Sequence, residues 1–365
     1  MLIEMFCSRQ DVLAQCISSS QPDAAVVVPG CNAGFVSCLG IEACGRRILN
    51  CLEDLERKWQ SVVSFSIVGH SLGGLVALWL AGSLYQARLE GRFRWSFNRL
   101  ITIATPHVGK VGSTNFRSRL SGAFAGLALG RSGMEMALVD KNSASNQPII
   151  TDICHPDGIF MKAANSFDDV WVVANTLGDA SVSWASSGAP FVGDAVKAAA
   201  LSVYKDFPAV YITDSLAVQF PTLQCGADVN TTAGGCCACF KAPLLFVAHM
   251  LALPLLPLVL LMLVCMMCVR CLSTASVSDT RVPLIGSLYD KHTTVGSGST
   301  LAPVEASAVC STAMARTGWK PLLAKIPGCG AHGRIVCRGG QINDAVAMSV
   351  PRIIGKLFAP RQDDP

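Results

Sequence analysis

The feature that most limits how this chain can fold is a glycine-flanked serine between an apparent strand and an apparent helix. Residues 62–68 form a short apolar run typical of a buried strand, and residues 75–87 have the composition of a buried helix. Residues 69–73 lie between them and read Gly-His-Ser-Leu-Gly, a G-x-S-x-G pattern with Ser71 at its centre. A tight strand-to-helix turn needs small residues two positions either side of the serine. The sequence therefore predicts that Ser71 sits at the end of a buried strand.

Other segments extend this pattern along the first half of the chain. Apolar runs at residues 24–30, 100–104 and 170–174 are typical of buried strands. Residues 40–60 carry apolar side chains at helical spacing, with charged residues opposite. Strands that alternate with helices predict an α/β fold with a mostly parallel sheet flanked by helices.

Composition excludes some functions and suggests a lipid environment. The 29 Lys and Arg exceed the 25 Asp and Glu by only 4, and no basic run occurs, so a nucleic-acid partner is not expected. Charged residues make up 15% of the 365 residues and apolar ones 51%, whereas soluble domains are about a quarter charged. Seventeen cysteines, many within apolar runs, indicate reduced thiols that face the cytosol. No cofactor or metal is expected.

The apolar excess is concentrated in residues 242–269, where 28 consecutive residues carry no formal charge. One helix of this length would measure ~42 Å, against a hydrocarbon core of ~30 Å. Pro254 and Pro257 interrupt it near the middle, where proline breaks a helix. A hairpin that enters one leaflet and returns is therefore predicted. A single membrane span and a buried core segment are the alternatives.

The serine turn also predicts a chemistry. A helix that begins directly after Ser71 points free backbone N–H groups at the serine, and the N–H of Leu72 is the natural first donor to an oxyanion. Gly69, His70 and Gly73 would form the frame of the turn. Ser71 is therefore predicted to be a nucleophile that forms an acyl-enzyme.

Several motifs in a fixed order resemble the lipase-like putative serine esterase family of eukaryotes, which contains the yeast ROG-type lipases. The segments that carry this resemblance are Ser66 to Leu75, Gly40-Ile41-Glu42 with Gly45-Arg46-Arg47, Ala104 to Gly109, and Ala174-Asn175 with Gly178-Asp179. The resemblance covers residues 24–185 and 330–356. It implies an α/β-hydrolase fold and action on lipid esters, in several relatives at lipid droplets or other membranes.

The acid and base partners of Ser71 follow from chain order, because α/β-hydrolases order their triad as serine, acid, histidine. Asp179 comes shortly after the predicted strand 170–174 and matches the acid of the family. Three histidines follow it, namely His249 in the apolar segment, His292 in a polar stretch, and His332 between small residues. His332 suits a general base in a loop and matches the histidine of the family. Asp179 and His332 are therefore the predicted acid and base.

One expected part of the site has no match in the sequence. In this fold a second oxyanion donor follows a strand that lies between the strands of residues 24–30 and 62–68 and ends in His-Gly. No His-Gly occurs before residue 69. Either residues 2–7 are a degenerate version of that strand, or the sheet lacks its first strands.

These observations predict five segments. Residues 1–215 form the hydrolase core with Ser71 and Asp179, and residues 108–150 form a lid over an apolar acyl pocket. Residues 216–241 are a linker, residues 242–269 the membrane segment, and residues 270–328 a loose Ser/Thr/Gly-rich linker. Residues 329–358 supply a strand near residues 334–338, a helix, and His332.

The leading interpretation is a membrane-associated serine hydrolase that cleaves lipid esters. It would act at the cytosolic face of a membrane, either at a lipid droplet or at the endoplasmic reticulum. The alternative is a catalytically impaired or non-catalytic membrane-bound relative that acts as an interaction protein, because the His-Gly oxyanion loop is missing.

Overall fold

A computed structural model describes the chain over much of its length. The described residues are 2–5, 11–110, 129–176, 179, 181–189, 195–196, 202–204, 207–212, 218–219, 301–314, 317–327, 330–338 and 342–359. The chain divides into two units, one made of residues 1–222 with 285–365, and one of residues 223–284. The second unit lies outside the described residues, so the architecture below is that of the first.

The first unit combines strands and helices that alternate along the chain. The strands are β1 (Leu2–Met5), β2 (Val26–Val27), β3 (Ser64–His70), β4 (Ser96–Ile103), β5 (Asp169–Asn175), β6 (Ala195–Val196), β7 (Ser202–Tyr204), β8 (Phe207–Ile212), β9 (Val218–Gln219) and β10 (Lys320–Ala324). The helices are α1 (Asp11–Ser20), α2 (Ile41–Lys58), α3 (Leu72–Leu89), α4 (129–136), α5 (Ile149–Ile153), α6 (Ile159–Ala164), α7 (Trp184–Ser187), α8 (Pro303–Met314), α9 (Ala331–Arg334) and α10 (Ala345–Phe358).

Eight of the strands form one sheet in the order β2-β1-β3-β4-β5-β10-β8-β7. The six strands from β2 to β10 run parallel, and β8 and β7 continue the sheet antiparallel. Strands β6 and β9 form a separate antiparallel pair. The predicted α/β class with a mostly parallel, helix-flanked sheet is confirmed.

Helices cover both faces of the sheet. Because successive side chains of a strand point to opposite faces, each strand contributes to two cores. Ile67 and Leu100 pack into a core shared with α2, α3 and α6. Their neighbours Val68 and Ile101 pack into a second core with α1 and α10. Strands buried on both faces explain why these segments are continuous apolar runs in the sequence.

The first strand lies where the sequence left two alternatives open. β1 pairs in parallel with β2 on one side and with β3 on the other, with Met5 opposite Gly69. A strand therefore does occupy the position between those two strands, as the first alternative expected for residues 2–7. The segment that follows it, residues 6–10, lies outside the described residues.

The predicted linker at residues 270–328 is wrong from residue 303 onward, where the structure has a helix and a strand. Residues 303–314 form α8, whose buried face carries Ala306, Cys310, Ala313 and Met314. β10 follows and is a central strand, parallel to β5 and antiparallel to β8. The sequence hid both elements, because small buried residues give little hydrophobic periodicity and β10 pairs with a strand about 150 residues earlier.

The strand predicted near residues 334–338 is also wrong. The chain there makes the single helical turn α9 and a further turn, in which Cys337 has a positive φ of 53°. Ile335 and Val336 are buried, but they reach the core from a turn and not from a strand. A short apolar run does not by itself distinguish a strand from a packed turn. The helix predicted to follow is confirmed as α10.

The predicted membrane segment and part of the predicted lid lie outside the residues that the structure describes. The apolar segment 242–269 lies entirely outside them, and no helix among the described ranges is long and apolar enough to cross a membrane. Of the predicted lid, residues 111–128 are outside. The described remainder includes α4, which is held to the core: Glu135 accepts a hydrogen bond from the N–H of Ile41, and the hydroxyl of Ser132 accepts one from the N–H of Gly40. The linker at 216–241 contributes only β9 to the described part.

Candidate active site

Ser71 occupies a sharp turn between β3 and α3. The strand ends at His70 and the helix begins at Leu72, so Ser71 alone makes the reversal, with φ 55° and ψ −126°. Its N–H donates to the carbonyl of Ile103 on the neighbouring strand at 2.8 Å. Its own carbonyl accepts from the N–H of Gly74 at 3.0 Å. The sheet and the first turn of the helix thus both hold the serine in place.

Glycines make this turn possible because the backbone is crowded. A Cβ on Gly69 would lie 2.5 Å from the carbonyl oxygen of Gly73, which is closer than real contacts permit. A Cβ on Gly74 would lie 1.9 Å from the hydroxyl oxygen of Thr105. The spacing of small residues around Ser71 therefore reflects a close approach of backbone and neighbouring loop at this point.

The ring of His332 lies between the hydroxyl of Ser71 and the carboxylate of Asp179. Its Nε2 is 2.8 Å from Ser71 Oγ, and its Nδ1 is 2.8 Å from Asp179 Oδ2. A carboxylate only accepts hydrogen bonds, so Nδ1 carries the proton and donates it to Asp179. In the neutral ring with this tautomer, Nε2 carries no proton and can accept a hydrogen bond from the serine hydroxyl.

Asp179 lies just beyond β5 and is almost enclosed. Its side chain is 2% exposed, against 17% for that of His332. Its Oδ1 accepts from the backbone N–H groups of Ser181 and Val182 at 2.8 and 2.9 Å. Burial raises the pKa of Asp179, but the hydrogen bonds from His332 and from these two amides outweigh burial and leave the pKa below its usual value. The carboxylate is therefore ionised at neutral pH.

The loops that carry Asp179 and His332 are joined at the end of the sheet. The side chain of Asn175, the last residue of β5, makes two hydrogen bonds of 2.9 Å to the backbone of Ile326, just beyond β10. Because β5 and β10 are parallel neighbours, both loops leave the sheet at the same edge. Residues that are 153 apart in sequence thereby meet side by side.

Two further histidines are buried at this edge. His70 Nε2 lies 2.9 Å from the carbonyl oxygen of His332. His107 lies 3.1 Å from both the hydroxyl of Thr102 and the carbonyl of Ser187 through its two ring nitrogens. Burial lowers the pKa of His70 to about 3 and that of His107 to about 4, so both rings are neutral at physiological pH.

Leu72 stands at the first position of α3, directly after Ser71. The first N–H groups of a helix have no partner within the helix, so they are available to a negative charge next to Ser71. The role of Leu72 as an oxyanion donor stays a prediction. A second donor, expected in the loop after β1, would come from residues 6–10, which the structure does not describe.

The structure also places polar residues that the sequence analysis missed. Glu135 and Ser132 of α4 hold the first residues of α2, and the Glu135 side chain is 0% exposed. No local pattern signals these contacts, because the partners are more than 90 residues apart. Within the described ranges, no cluster of three or more His, Cys, Asp or Glu side chains is arranged to hold a metal ion.

Comparison with known proteins bears on the same part of the chain. A family model described as putative serine esterase (DUF676) matches residues 9–190, a range that includes Ser71 and Asp179. Over that range the chain is similar to the putative serine esterase family. His332 lies beyond the matched range. The serine esterase match supports a hydrolase.

Two individual proteins are also similar. A protein of Schizosaccharomyces pombe named as a putative lipase is 29% identical over 180 residues, which are 47% of this chain and 22% of that protein. The chain thus spans about a fifth of the length of this curated relative. The crystal structure of the product of the Listeria innocua gene lin2722 matches 48% of this chain and 69% of its own, with 13% identity and a TM-score of 0.29. At that score no argument follows from the likeness.

Proposed function

We propose that this chain is a membrane-associated serine hydrolase of α/β-hydrolase type that cleaves carboxylic esters of lipids. The observation that carries the proposal is the position of the His332 ring, 2.8 Å from the Ser71 hydroxyl and 2.8 Å from the Asp179 carboxylate. A serine hydroxyl becomes a strong nucleophile only when a base within hydrogen-bond reach takes its proton. His332 is placed to do so, and Asp179 is placed to hold its tautomer.

In the first half of the reaction, Ser71 Oγ attacks the carbonyl carbon of the ester while its proton passes to His332 Nε2. The carbonyl π electrons move to the oxygen, which becomes an oxyanion beside the N–H of Leu72. When the oxyanion collapses, the bond to the leaving oxygen breaks and His332 returns the proton to it. The alcohol departs and the acyl group stays on Ser71.

In the second half, water replaces the alcohol. The oxygen of the water attacks the acyl carbon while His332 takes one proton from the water, and a tetrahedral adduct forms again. Its collapse breaks the bond to Ser71 Oγ, which recovers the proton from His332. The free carboxylic acid leaves, and Asp179 stays ionised throughout because it only stabilises the charged imidazole.

The substrate class rests on similarity to the family and on composition. The serine esterase family and the relative named as a lipase support an ester of a lipid. The low content of charged residues, 15% of the chain, supports work at a lipid surface. No nucleic acid is proposed as a partner.

Membrane attachment would come from residues 242–269. Asp179 precedes this segment and His332 follows it, yet the two side chains are in contact. A single span would separate them across the bilayer, so the contact favours a hairpin that enters and leaves the same face. We therefore propose insertion into one leaflet from the cytosolic side, as a lipid droplet or the endoplasmic reticulum would permit.

The second candidate is a non-catalytic relative in which the triad persists without turnover. The sequence feature that favours it is the absence of His-Gly before residue 69, where a second oxyanion donor is expected. Loss of one such donor lowers the rate by about 10²–10³. The two candidates therefore differ in whether Ser71 reacts at a useful rate.

Covalent labelling with a fluorophosphonate separates them. The oxygen of an activated serine attacks the phosphorus of the reagent and displaces fluoride, while the hydroxyl proton passes to the base, and the bond to phosphorus that forms is stable. We expect the folded full-length protein to be labelled, Ser71→Ala to lose the label, and Ser349→Ala, a serine on α10, to retain it. A folded wild-type protein that takes up no label would instead support the non-catalytic relative.

A further inference from the structure

We propose that His70 is a positioning residue that holds the backbone of His332 and thereby sets the distance from its ring to Ser71. The proposal rests on the hydrolase function proposed above, but it concerns a residue that takes no part in proton transfer. His70 lies directly before Ser71 at the end of β3, and its ring centroid is 4.8 Å from that of His332.

The direction of the hydrogen bond between them is fixed by chemistry. His70 Nε2 lies 2.9 Å from the carbonyl oxygen of His332, and a carbonyl oxygen can only accept. The proton of His70 must therefore be on Nε2. Burial, and next the repulsion from His332, lower the pKa of His70 to about 3, so the ring stays neutral and keeps this role at neutral pH.

The carbonyl of His332 meets the ring of His70 where the helical hydrogen-bond pattern of α9 ends. The N–H of Ile335 donates to Ala331, and the N–H of Val336 donates to Gly333. The first bond follows the pattern of a regular helix, whereas the same pattern would direct the N–H of Val336 to the carbonyl of His332. His70 supplies the donor that the short helix α9 does not.

His70 is itself held by the sheet, so its hydrogen bond can fix His332 relative to the end of β3. It pairs with Ile103 across β3 and β4, and its side chain is buried. α9 has only four residues, too few to hold a fixed position through its own hydrogen bonds. One bond from the residue beside the nucleophile therefore ties the base to the same strand end that carries Ser71.

Substitutions of His70 distinguish the effect of its hydrogen-bond donor from the effect of the shape of its ring. Glutamine places an amide nitrogen the same number of bonds from Cα as His70 Nε2, whereas asparagine reaches only the position of Nδ1. We expect the rate of fluorophosphonate labelling to fall about 10²-fold in His70→Asn and His70→Phe, since displacement of a reacting group by 1 Å has effects of that order. His70→Gln should recover most of the rate.

Two readouts distinguish positioning from a general loss of stability. With a soluble ester, kcat should fall in His70→Phe while KM stays within about twofold, because His70 holds the base and not the substrate. Leu52→Ala, a core substitution in the last two turns of α2, should lower the melting temperature without slowing the labelling. Labelling of His70→Phe at the wild-type rate, or equal rates for the asparagine and glutamine variants, would overturn the proposal.

A third measurement does not depend on activity or on variants that fold. In full-length protein with ¹⁵N-labelled histidine, NMR should report His70 as the Nε2–H tautomer, without titration between pH 5 and 9. An Nδ1–H tautomer, or protonation in that range, would refute the positioning role even if Ser71 is reactive. Conversely, a wild-type protein that is not labelled but has the expected tautomer would refute the hydrolase alone.

Discussion

Ser71 lies in a backbone conformation that a serine adopts only where its surroundings enforce it. A positive φ with an extended ψ costs on the order of 1–3 kcal/mol for a residue with a side chain. Here the bond from its N–H to Ile103 and the bond from Gly74 to its carbonyl offset that cost. The strain places the hydroxyl at the start of α3, where the helix dipole favours negative charge.

Asp179 gives the first prediction at the scale of the residue. Asp179→Asn keeps an oxygen for the N–H groups of Ser181 and Val182, so the variant should fold. The amide cannot fix the His332 tautomer or stabilise its charged form, and kcat should fall by about 10⁴, as in other enzymes with this arrangement. Initial rates of ester hydrolysis test this, with circular dichroism as a check on folding. Activity within tenfold of wild type would mean that Asp179 is not the acid.

Glu135 gives a prediction about the pH dependence of stability. Burial raises the pKa of Glu135 from 4.5 to about 7, although hydrogen bonds from Ile41 and Arg131 oppose the rise. Between these two values the folded protein keeps a proton that the unfolded chain has lost, so the free energy of unfolding falls as pH rises. The contribution of this carboxyl should decrease by up to about 3 kcal/mol across that range.

Urea denaturation of wild type and Glu135→Gln at pH 5 and pH 8 isolates this effect. Other titrating groups are common to both proteins, so they cancel in the difference between the two free energies of unfolding. We expect the wild type to lose stability relative to the variant as pH rises. A difference that is independent of pH would contradict the prediction.

At the scale of elements, the helices α2 and α3 approach each other very closely at a glycine. A Cβ on Gly45 of α2 would lie 2.1 Å from the ring of Trp79 on α3, a buried tryptophan. Gly45 therefore allows the two helices to approach each other, although glycine within a helix is about 1 kcal/mol less favourable than alanine.

Gly45→Ala should consequently destabilise the protein even though it improves helix propensity. Overpacking in a dense core costs about 1–3 kcal/mol, which exceeds the gain in propensity. The free energy of unfolding from urea denaturation measures the balance. Glu53→Ala, an exposed substitution on the same helix, should change stability by less than about 0.5 kcal/mol. A Gly45→Ala variant as stable as wild type would show that α2 can move away from α3.

At the scale of the whole molecule, the sheet is completed by strands from two distant parts of the chain. β10 arrives after the segment 220–300 and takes a central place beside β5. The hydrogen bonds between Asn175 and Ile326 then bring the loop of His332 to that of Asp179. The candidate site thus requires the chain to return to the sheet after the apolar segment.

The proposed membrane role predicts that the apolar segment is needed for membrane binding but not for the reactivity of Ser71. Replacing residues 242–269 by a Gly/Ser linker of equal length should abolish flotation of the protein with phospholipid vesicles, because the apolar surface is removed. Labelling of Ser71 should persist, since all three side chains of the site lie elsewhere in the sequence. Vesicle binding that survives the replacement would contradict a membrane function for this segment.

The sequence by itself determined the elements whose signal is local. The turn around Ser71 is specified by glycines within a few residues, and the buried strands β3, β4 and β5 by continuous apolar runs. Asp179 and His332 were identified from chain order and family resemblance, and the structure brings both within 2.8 Å contacts of the expected kind. Their catalytic roles remain predictions.

Only the tertiary structure decided which distant segments meet. α8 and β10 lie within a stretch that was predicted to be a linker, because their small buried residues and five-residue strand gain stability only from partners elsewhere in the chain. The contact of Glu135 with α2 and that of His70 with the carbonyl of His332 are of the same kind. Local sequence determines whether a turn or a strand is favourable at a given place. A contact between residues far apart in sequence forms only once the sheet has assembled, because the chain between them must first be closed into a loop.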